Sequence, residues 1–225
     1  MPAAVVTVVL PALDEAEALP FVLAQLPTGY RALVVDNGSS DGTGEVARSL
    51  GADVVLEPRR GFGAACAAGL AAATTEVVAF CDCDGSLDLG DLPLVCDPVV
   101  AGTAQMVLGR REPTERGAWP LHARVANRYL ARRLRRSLEL PLTDLGPMRA
   151  ARRADWVGLR VEDRRSGWPL EQVVRAGQAG WTITEVPVAY RPRRGRSKVT
   201  GTLRGTLQAV HDMQQVLRSS HRSAT

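Results

Sequence analysis

Three short acidic runs carry the residue types most suited to chemistry: Pro11-Ala12-Leu13-Asp14-Glu15, Asp36-Asn37-Gly38-Ser39-Ser40-Asp41-Gly42-Thr43 and Asp82-Cys83-Asp84-Gly85-Ser86. Each follows a run of Val, Leu and Ala. Carboxylates crowded at one edge repel one another unless a cation sits among them. Oxygen ligands suit a hard divalent ion, and Mg²⁺ or Mn²⁺ is preferred where phosphates complete the shell. Asp36 and Asp41 also fit simple turn capping, because Asx residues favour such positions. Asp82-x-Asp84, directly after an apolar run, is the better metal pair.

The later part of the chain supplies the opposite charge. Residues 1–109 hold 4 Arg against 14 acids, a net of −10, whereas residues 110–225 hold 24 basic groups against 10 acids, a net of +14. Of the 28 basic residues, Lys198 is the one lysine. An Arg-rich, Ala-rich chain fits high-GC codon usage, so Arg abundance alone carries little meaning. Arg132, Arg133, Arg135 and Arg136 read as a solvated face. The arginines of Arg191–Gly201 lie instead in a Gly- and Pro-containing loop, and the fork of donors on Arg suits phosphate.

The elements that must position these groups alternate. Ala4–Leu10, Ala32–Val35, Asp53–Leu56, Glu76–Cys81 and Gln105–Leu108 read as strands covered on both faces, being continuously apolar. Glu15–Leu26, Thr43–Leu50, Gly63–Thr74 and Asp91–Val100 read as helices, with Thr43 and Asp91 as N-caps. This alternation predicts an α/β fold with a mostly parallel central sheet and helices on both faces. Ligands then bind beyond the carboxyl ends of the strands, where the acidic runs fall. Arg110–Trp119 reads as a loop, His122–Leu138 and Trp168–Gly177 as helices, and Thr182–Tyr190 as a strand. A last helix places Leu203, Leu207, Val210, Met213 and Leu217 on one face, before a polar tail at 219–225.

At 225 residues, 45% hydrophobic and 23% charged, the chain is neither disordered nor fibrous and suits a single domain over 1–218. The opening MPAAVVTVVLPALDE has no secretory-signal pattern, and no run of 18 strongly apolar residues predicts a membrane span. Cys66, Cys81, Cys83 and Cys96 form no zinc pattern and read as buried thiols of a cytoplasmic protein. GFGAACAAG fails as a dinucleotide loop, because its third glycine comes six residues after the second. No P-loop occurs, and His122, His211 and His221 show no metal or triad pattern.

In order and spacing these motifs resemble glycosyltransferase family 2, enzymes of the GT-A fold, and particularly the dolichyl- and polyprenyl-phosphate sugar synthases. The resemblance runs from about Val5 to Val216. PALDE matches the opening motif that contacts the donor nucleoside, implying donor roles for Pro11, Leu13 and Glu15. VVDNGSSDGT matches the second motif, with Asp36 on the base, and RGFGAACAAG a third, with Gly61. CDCDG stands at the DxD motif, implying that Asp82, Cys83 and Asp84 hold the donor and that Asp82 and Asp84 hold the metal. LGRRE aligns Arg111 with the family's arginine, and Arg124 begins a helix that carries a phosphate-binding arginine in the lipid-phosphate enzymes. TDLGPMRA matches a further segment through Asp144, Gly146 and Arg149, with Met148 in place of an aromatic. EVPVAYRPRRGRSKVTG resembles the loop that closes over phosphates, implying roles for Ser197 and Lys198. Arg191, Arg193 and Arg194 compete for its upstream arginine, with Arg193 taken for the site.

The implied reaction is inverting sugar transfer from a nucleoside-diphosphate sugar, UDP- or GDP-linked, to a polyprenyl or dolichyl phosphate. A hydroxyl acceptor would need a general base. Glu171 and Asp144 are the two expected, alongside Asp84, as catalytic carboxylates. Transfer to a hydroxyl of a small molecule or glycan is the alternative, and a non-catalytic nucleotide-binding module the alternative of another class. No nucleic-acid partner is expected. A peripheral place on the cytoplasmic membrane face, a separate membrane subunit and a homodimer are left open.

Overall fold

The computed structural model describes residues 6–194. Ser197, Lys198, the helix expected over Leu203–Leu217 and the tail at 219–225 lie outside the described residues. The strands are β1 (Val6–Ala12), β2 (Tyr30–Asp36), β3 (Asp53–Leu56), β4 (Val77–Phe80), β5 (Met106–Pro113), β6 (Arg149–Arg152) and β7 (Ile183–Tyr190). They form one sheet in the order β3-β2-β1-β4-β6-β5-β7, with β6 antiparallel to both its neighbours. The helices are α1 (Leu19–Leu23), α2 (Thr43–Ser49), α3 (Phe62–Ala72), α4 (Leu92–Val100), α5 (Leu121–Leu138), α6 (Arg153–Gly158) and α7 (Trp168–Gln178). The expected α/β architecture is present as a single domain. The charge boundary at 109/110 falls inside β5, so the acidic and basic halves share one sheet.

The continuous apolar strand runs follow from burial on both faces. Val9, Val35, Val78, Phe80, Met106 and Leu108 point to one side, where Trp156 of α6, Trp168 and Val173 of α7 and Leu134 of α5 cover them. Val8, Leu10, Val34, Ala79 and Val107 point to the other, under Leu19, Val22 and the α4 residues Leu92, Val95 and Val99. Trp156 also donates its indole N–H to the Val78 carbonyl at 2.9 Å, so this large ring is both packed and satisfied.

Several local expectations are corrected. The helix expected from Glu15 begins only at Leu19, because side chains of the second acidic run capture the backbone before it. Asp14 N–H donates to Ser39 Oγ (2.9 Å), Glu15 N–H to Thr43 Oγ1 (2.9 Å) and Ala16 N–H to Asp41 Oδ2 (3.0 Å). Thr43 is therefore not the N-cap of α2, a place taken by Gly42 at φ 84°. Asp91 does precede α4, but its carboxylate accepts from Ala189 N–H of β7 instead of capping. Arg110–Pro113 is strand, not loop, because β7 extends alongside it as far as Tyr190. Neither β6 nor α6 is anticipated in the sequence. Arg149-Ala150-Ala151-Arg152 has little intrinsic β-preference and becomes a strand by pairing with β4 and β5 on its two sides.

Candidate active site

The acidic runs meet at the carboxyl edge of β1, β2 and β4. Asp36, the last residue of β2, is buried and accepts from Ser39 N–H at 2.8 Å. Pro11 and Leu13 are half-buried at the end of β1, and Glu15 is buried beyond them. Asn37 is a positioning residue that the motif reading overlooked. Its amide donates to the carbonyls of Glu57 (2.8 Å) and Arg59 (2.7 Å) and accepts from Gly61 N–H (2.8 Å), tying β2 to the loop before α3.

Gly61 is explained by packing. A Cβ there would lie 2.2 Å from the Arg164 carbonyl oxygen, and its φ of 148° disfavours any side chain. Arg164 and Arg165 also cap α3, accepting from Ala64 N–H (2.9 Å) and Gly63 N–H (3.0 Å). The Gly63 and Ala64 N–H groups at the start of α3 are thus taken by the chain itself, so they form no pyrophosphate cradle.

After β4, Asp82 and Asp84 sit on one side of the turn while Cys81 and Cys83 point into the core. The Cys83 side chain is buried, so a donor contact there would fall to its backbone, and burial pushes its thiol up. Desolvation, followed by repulsion from Asp84, raises Asp82 to about 6, while Arg111, Arg193 and Arg149 pull the other way. Asp84 accepts from Ser86 N–H at 2.9 Å and pairs with Arg193 at 2.8 Å; Arg193 also lies 3.9 Å from Glu15. The three loop arginines have different neighbours, and Arg193 is the one against the acidic turn. Arg191 instead pairs with Asp88 (2.7 Å), and Arg194 lies 3.7 Å over the Phe21 ring. Backbone bonds Arg191 N–H to Ser86 O and Arg194 N–H to Asp84 O, both 2.8 Å, stitch this segment onto the acidic turn.

Two oxygen ligands next to a guanidinium fit a site that binds a divalent cation together with a phosphate group. Among the described residues no cluster of three or more His, Cys, Asp or Glu side chains stands ready to hold a metal. The donor set therefore matches Mg²⁺ or Mn²⁺, whose sites commonly use one or two carboxylates and leave the remaining positions to water and phosphate oxygens.

A second cluster centres on Arg111 in β5. Asp144 grips it twice, from Nε (3.0 Å) and Nη2 (2.6 Å), and accepts its backbone N–H at 2.8 Å. Asn127 of α5 accepts from Arg111 Nη2 (3.3 Å) and from Leu145 N–H (3.0 Å). The guanidinium carbon lies 3.9 Å from the Trp119 ring centre and 5.5 Å from that of Tyr190. Burial disfavours the Arg111 charge, but Asp144 more than offsets it and the pKa is raised. Arg111, Trp119 and the α5 arginines Arg124, Arg128 and Arg132 line a cavity of about 850 Å³. Trp119 and Asn127 carried no motif signal, and Tyr190 was only part of a longer motif with no role of its own; their link is to Arg111.

The two carboxylates expected to act as general bases are engaged elsewhere. Both oxygens of Asp144 serve Arg111. Glu171 is buried and accepts from Glu162 N–H (3.1 Å), Asp163 N–H (2.7 Å) and Arg175 Nε (2.6 Å), so it clamps the loop that closes α3. Arg149 is buried and directed at carbonyls, with Nη2 2.6 Å from Gly146 O and Nη1 2.8 Å from Pro169 O. Burial lowers its pKa to about 10.

Comparison with known proteins agrees with this arrangement. The family model described as glycosyl transferase family 2 matches residues 7–158. A Mycobacterium tuberculosis protein described as an uncharacterized glycosyltransferase is 53% identical over 213 residues, covering 94% of this chain and 97% of its own length. A dolichyl-phosphate hexose transferase of Haloferax volcanii is 30% identical over 201 residues, 85% of each chain. An undecaprenyl-phosphate mannosyltransferase of Micrococcus luteus is 30% identical over 219 residues, 89% of each. Among solved structures, glucosyl-3-phosphoglycerate synthase from Mycobacterium tuberculosis, in complex with Mg²⁺ and uridine diphosphate, superposes with a TM-score of 0.77 at 24% identity. That match covers 96% of this chain and 78% of the other. A GT-A sheet with its acidic turn after β4, and a family match spanning most of the chain, make this protein a glycosyltransferase of family 2.

Proposed function

We propose that the enzyme transfers a hexose from a nucleoside-diphosphate sugar to a phosphate group, most specifically that of a polyprenyl phosphate. The observation that carries this reading is the pairing of an Arg-lined cavity with the engagement of both expected bases. A phosphate oxygen is already ionised and needs no proton removed, whereas a hydroxyl does. Asp144 and Glu171 have their oxygens committed to Arg111 and to the 162–163 backbone, which suits an ionised nucleophile. The names of the Haloferax and Micrococcus relatives support a lipid phosphate.

In this reading Asp82 and Asp84 hold Mg²⁺ or Mn²⁺ against the donor diphosphate, and the bound cation would stabilise charge on the leaving group. Asp36 and the Pro11–Glu15 segment receive the nucleoside. Arg193, held on Asp84, stays beside the diphosphate. Arg111, fixed in direction by Asp144, Asn127 and the Trp119 ring, turns its remaining N–H groups toward the acceptor phosphate, and Arg124 meets that phosphate from α5. Ser197 and Lys198 belong to the same phosphate-handling segment in sequence.

A small phosphorylated acceptor is the second reading, favoured by neighbours solved with phosphoglyceric acid. The test mixes labelled UDP-glucose or GDP-mannose with Mn²⁺ and either a polyprenyl phosphate or 3-phosphoglycerate. Label entering the organic phase, lost at least a hundred-fold in Asp84→Asn, is expected. Transfer to phosphoglycerate alone, or label transfer that Asp84→Asn leaves intact, would overturn the reading.

A further inference from the structure

A surface helix needs one apolar stripe to fold against its domain, yet α5 has two. Ala131 and Leu134 are buried against the body, with Leu130 and Leu138 packed beside them. On the opposite side Leu121, Val125 and Tyr129, spaced four apart, are 74%, 60% and 61% exposed. Folding does not account for this second stripe. The same helix carries Arg124, Arg128, Arg132, Arg133, Arg135 and Arg136 and no acid. Leu121, Val125 and Tyr129 line the mouth of the cavity that holds Arg111 together with Arg124, Arg128, Arg132 and Arg135, so the outer stripe and the cavity mouth share one surface.

From this double stripe and its one-sign charge we propose that α5 seats the enzyme on an anionic bilayer, with Leu121, Val125 and Tyr129 in the interface and the arginines among the headgroups. Amphipathic helices with a basic polar face and an apolar stripe lie in the membrane plane in this way. Charge separates this occupant from the others. A second copy of the face would set six arginines against six. Residues 195–225 carry five basic groups and one acid, Asp212, and share the sign of α5. A nucleic acid would satisfy the arginines but leave the Leu, Val and Tyr stripe in water. No described helix is long and apolar enough to cross a membrane. The inference rests on the lipid-phosphate reading for its purpose, since it brings the cavity mouth to the plane where such a phosphate resides.

Docking is measured without any acceptor, by flotation of the purified full-length protein with phosphatidylcholine vesicles, with and without phosphatidylglycerol. Binding only to the anionic vesicles, reversed by salt, is expected. Each cation near the leaflet contributes about five-fold, so Arg132→Gln with Arg136→Gln should weaken partition about 25-fold. Val125→Glu should weaken it too, and because part of that loss is apolar burial, raising salt should not restore binding. Retained stabilisation of both variants by UDP with Mn²⁺ shows that they are folded, and separates a failure of docking from a failure of the glycosyltransferase reading. If Val125→Glu does not fold, the arginine pair and the wild-type salt titration still decide. Absence of wild-type flotation at low salt, flotation unchanged in the folded variants, preference for duplex DNA over vesicles, or a dimer that Val125→Glu dissolves would each overturn the proposal.

Discussion

Replacing Asp144 by Ala should be among the most damaging single changes outside the apolar core. The Asp144 side chain is 3% exposed and that of Arg111 15%, so the pair is desolvated and little screened. The substitution removes two guanidinium bonds and the acceptor of Arg111 N–H, leaving a cation enclosed by Trp119, Tyr190 and Asn127. Breaking a buried pair from one side costs about 3–5 kcal/mol. For a domain of this size, at roughly 2–4 °C per kcal/mol, the melting temperature should fall by about 6–20 °C. Arg111→Met in the Asp144→Ala background should restore part of the loss, giving a coupling of at least about 1 kcal/mol in a double-mutant cycle. Differential scanning calorimetry of the four proteins provides the numbers. A Tm for Asp144→Ala within about 2 °C of wild type, or single effects that simply add, would refute the claim that these groups form one buried unit.

Other consequences follow from geometry already described. Gly61→Ala should cost at least about 2 kcal/mol, because backbone strain of about 1–3 kcal/mol combines with collision against Arg164 O; urea unfolding measures it. Asp41 is held below the usual carboxylate range, since burial raises it but bonds from Thr43 and Ala16 lower it further. Its contribution is therefore present above the ordinary value of 3.8 and lost as pH falls through the lower folded value. Asp41→Asn should flatten the stability–pH curve between those two values, which thermal melts across acid pH would reveal. Burial pushes all four thiols up, Cys96 to about 12, so a thiol reagent should label the native protein slowly and all four cysteines after unfolding.

The parallel core was legible because strands covered on both faces announce themselves as unbroken Val and Leu runs. The acidic edge was legible because its motifs are contiguous in sequence. What escaped were features made by distant partners. The four residues of β6 are strand only because β4 and β5 flank them. Trp119 and Asn127 gain meaning from Arg111, and Gly61 gains its from Arg164, over 100 residues later. Asp144 and Glu171 were visible as carboxylates, but sequence could not show that their oxygens were already taken. The arginines at 191, 193 and 194 were indistinguishable by type and separated only once each had a different neighbour.

Asn37 has a consequence for how the protein ages. It precedes Gly38, and Asn-Gly is the sequence in which the following amide nitrogen most readily attacks the side-chain carbonyl, giving Asp or isoaspartate. In the native state both amide hydrogens and the carbonyl oxygen of Asn37 are engaged, which holds the side chain away from that attack. An unfolded chain has no such protection. Once deamidated it carries a carboxylate that cannot donate to the Glu57 and Arg59 carbonyls, so time spent unfolded becomes a permanent chemical record that hinders return to the native loop.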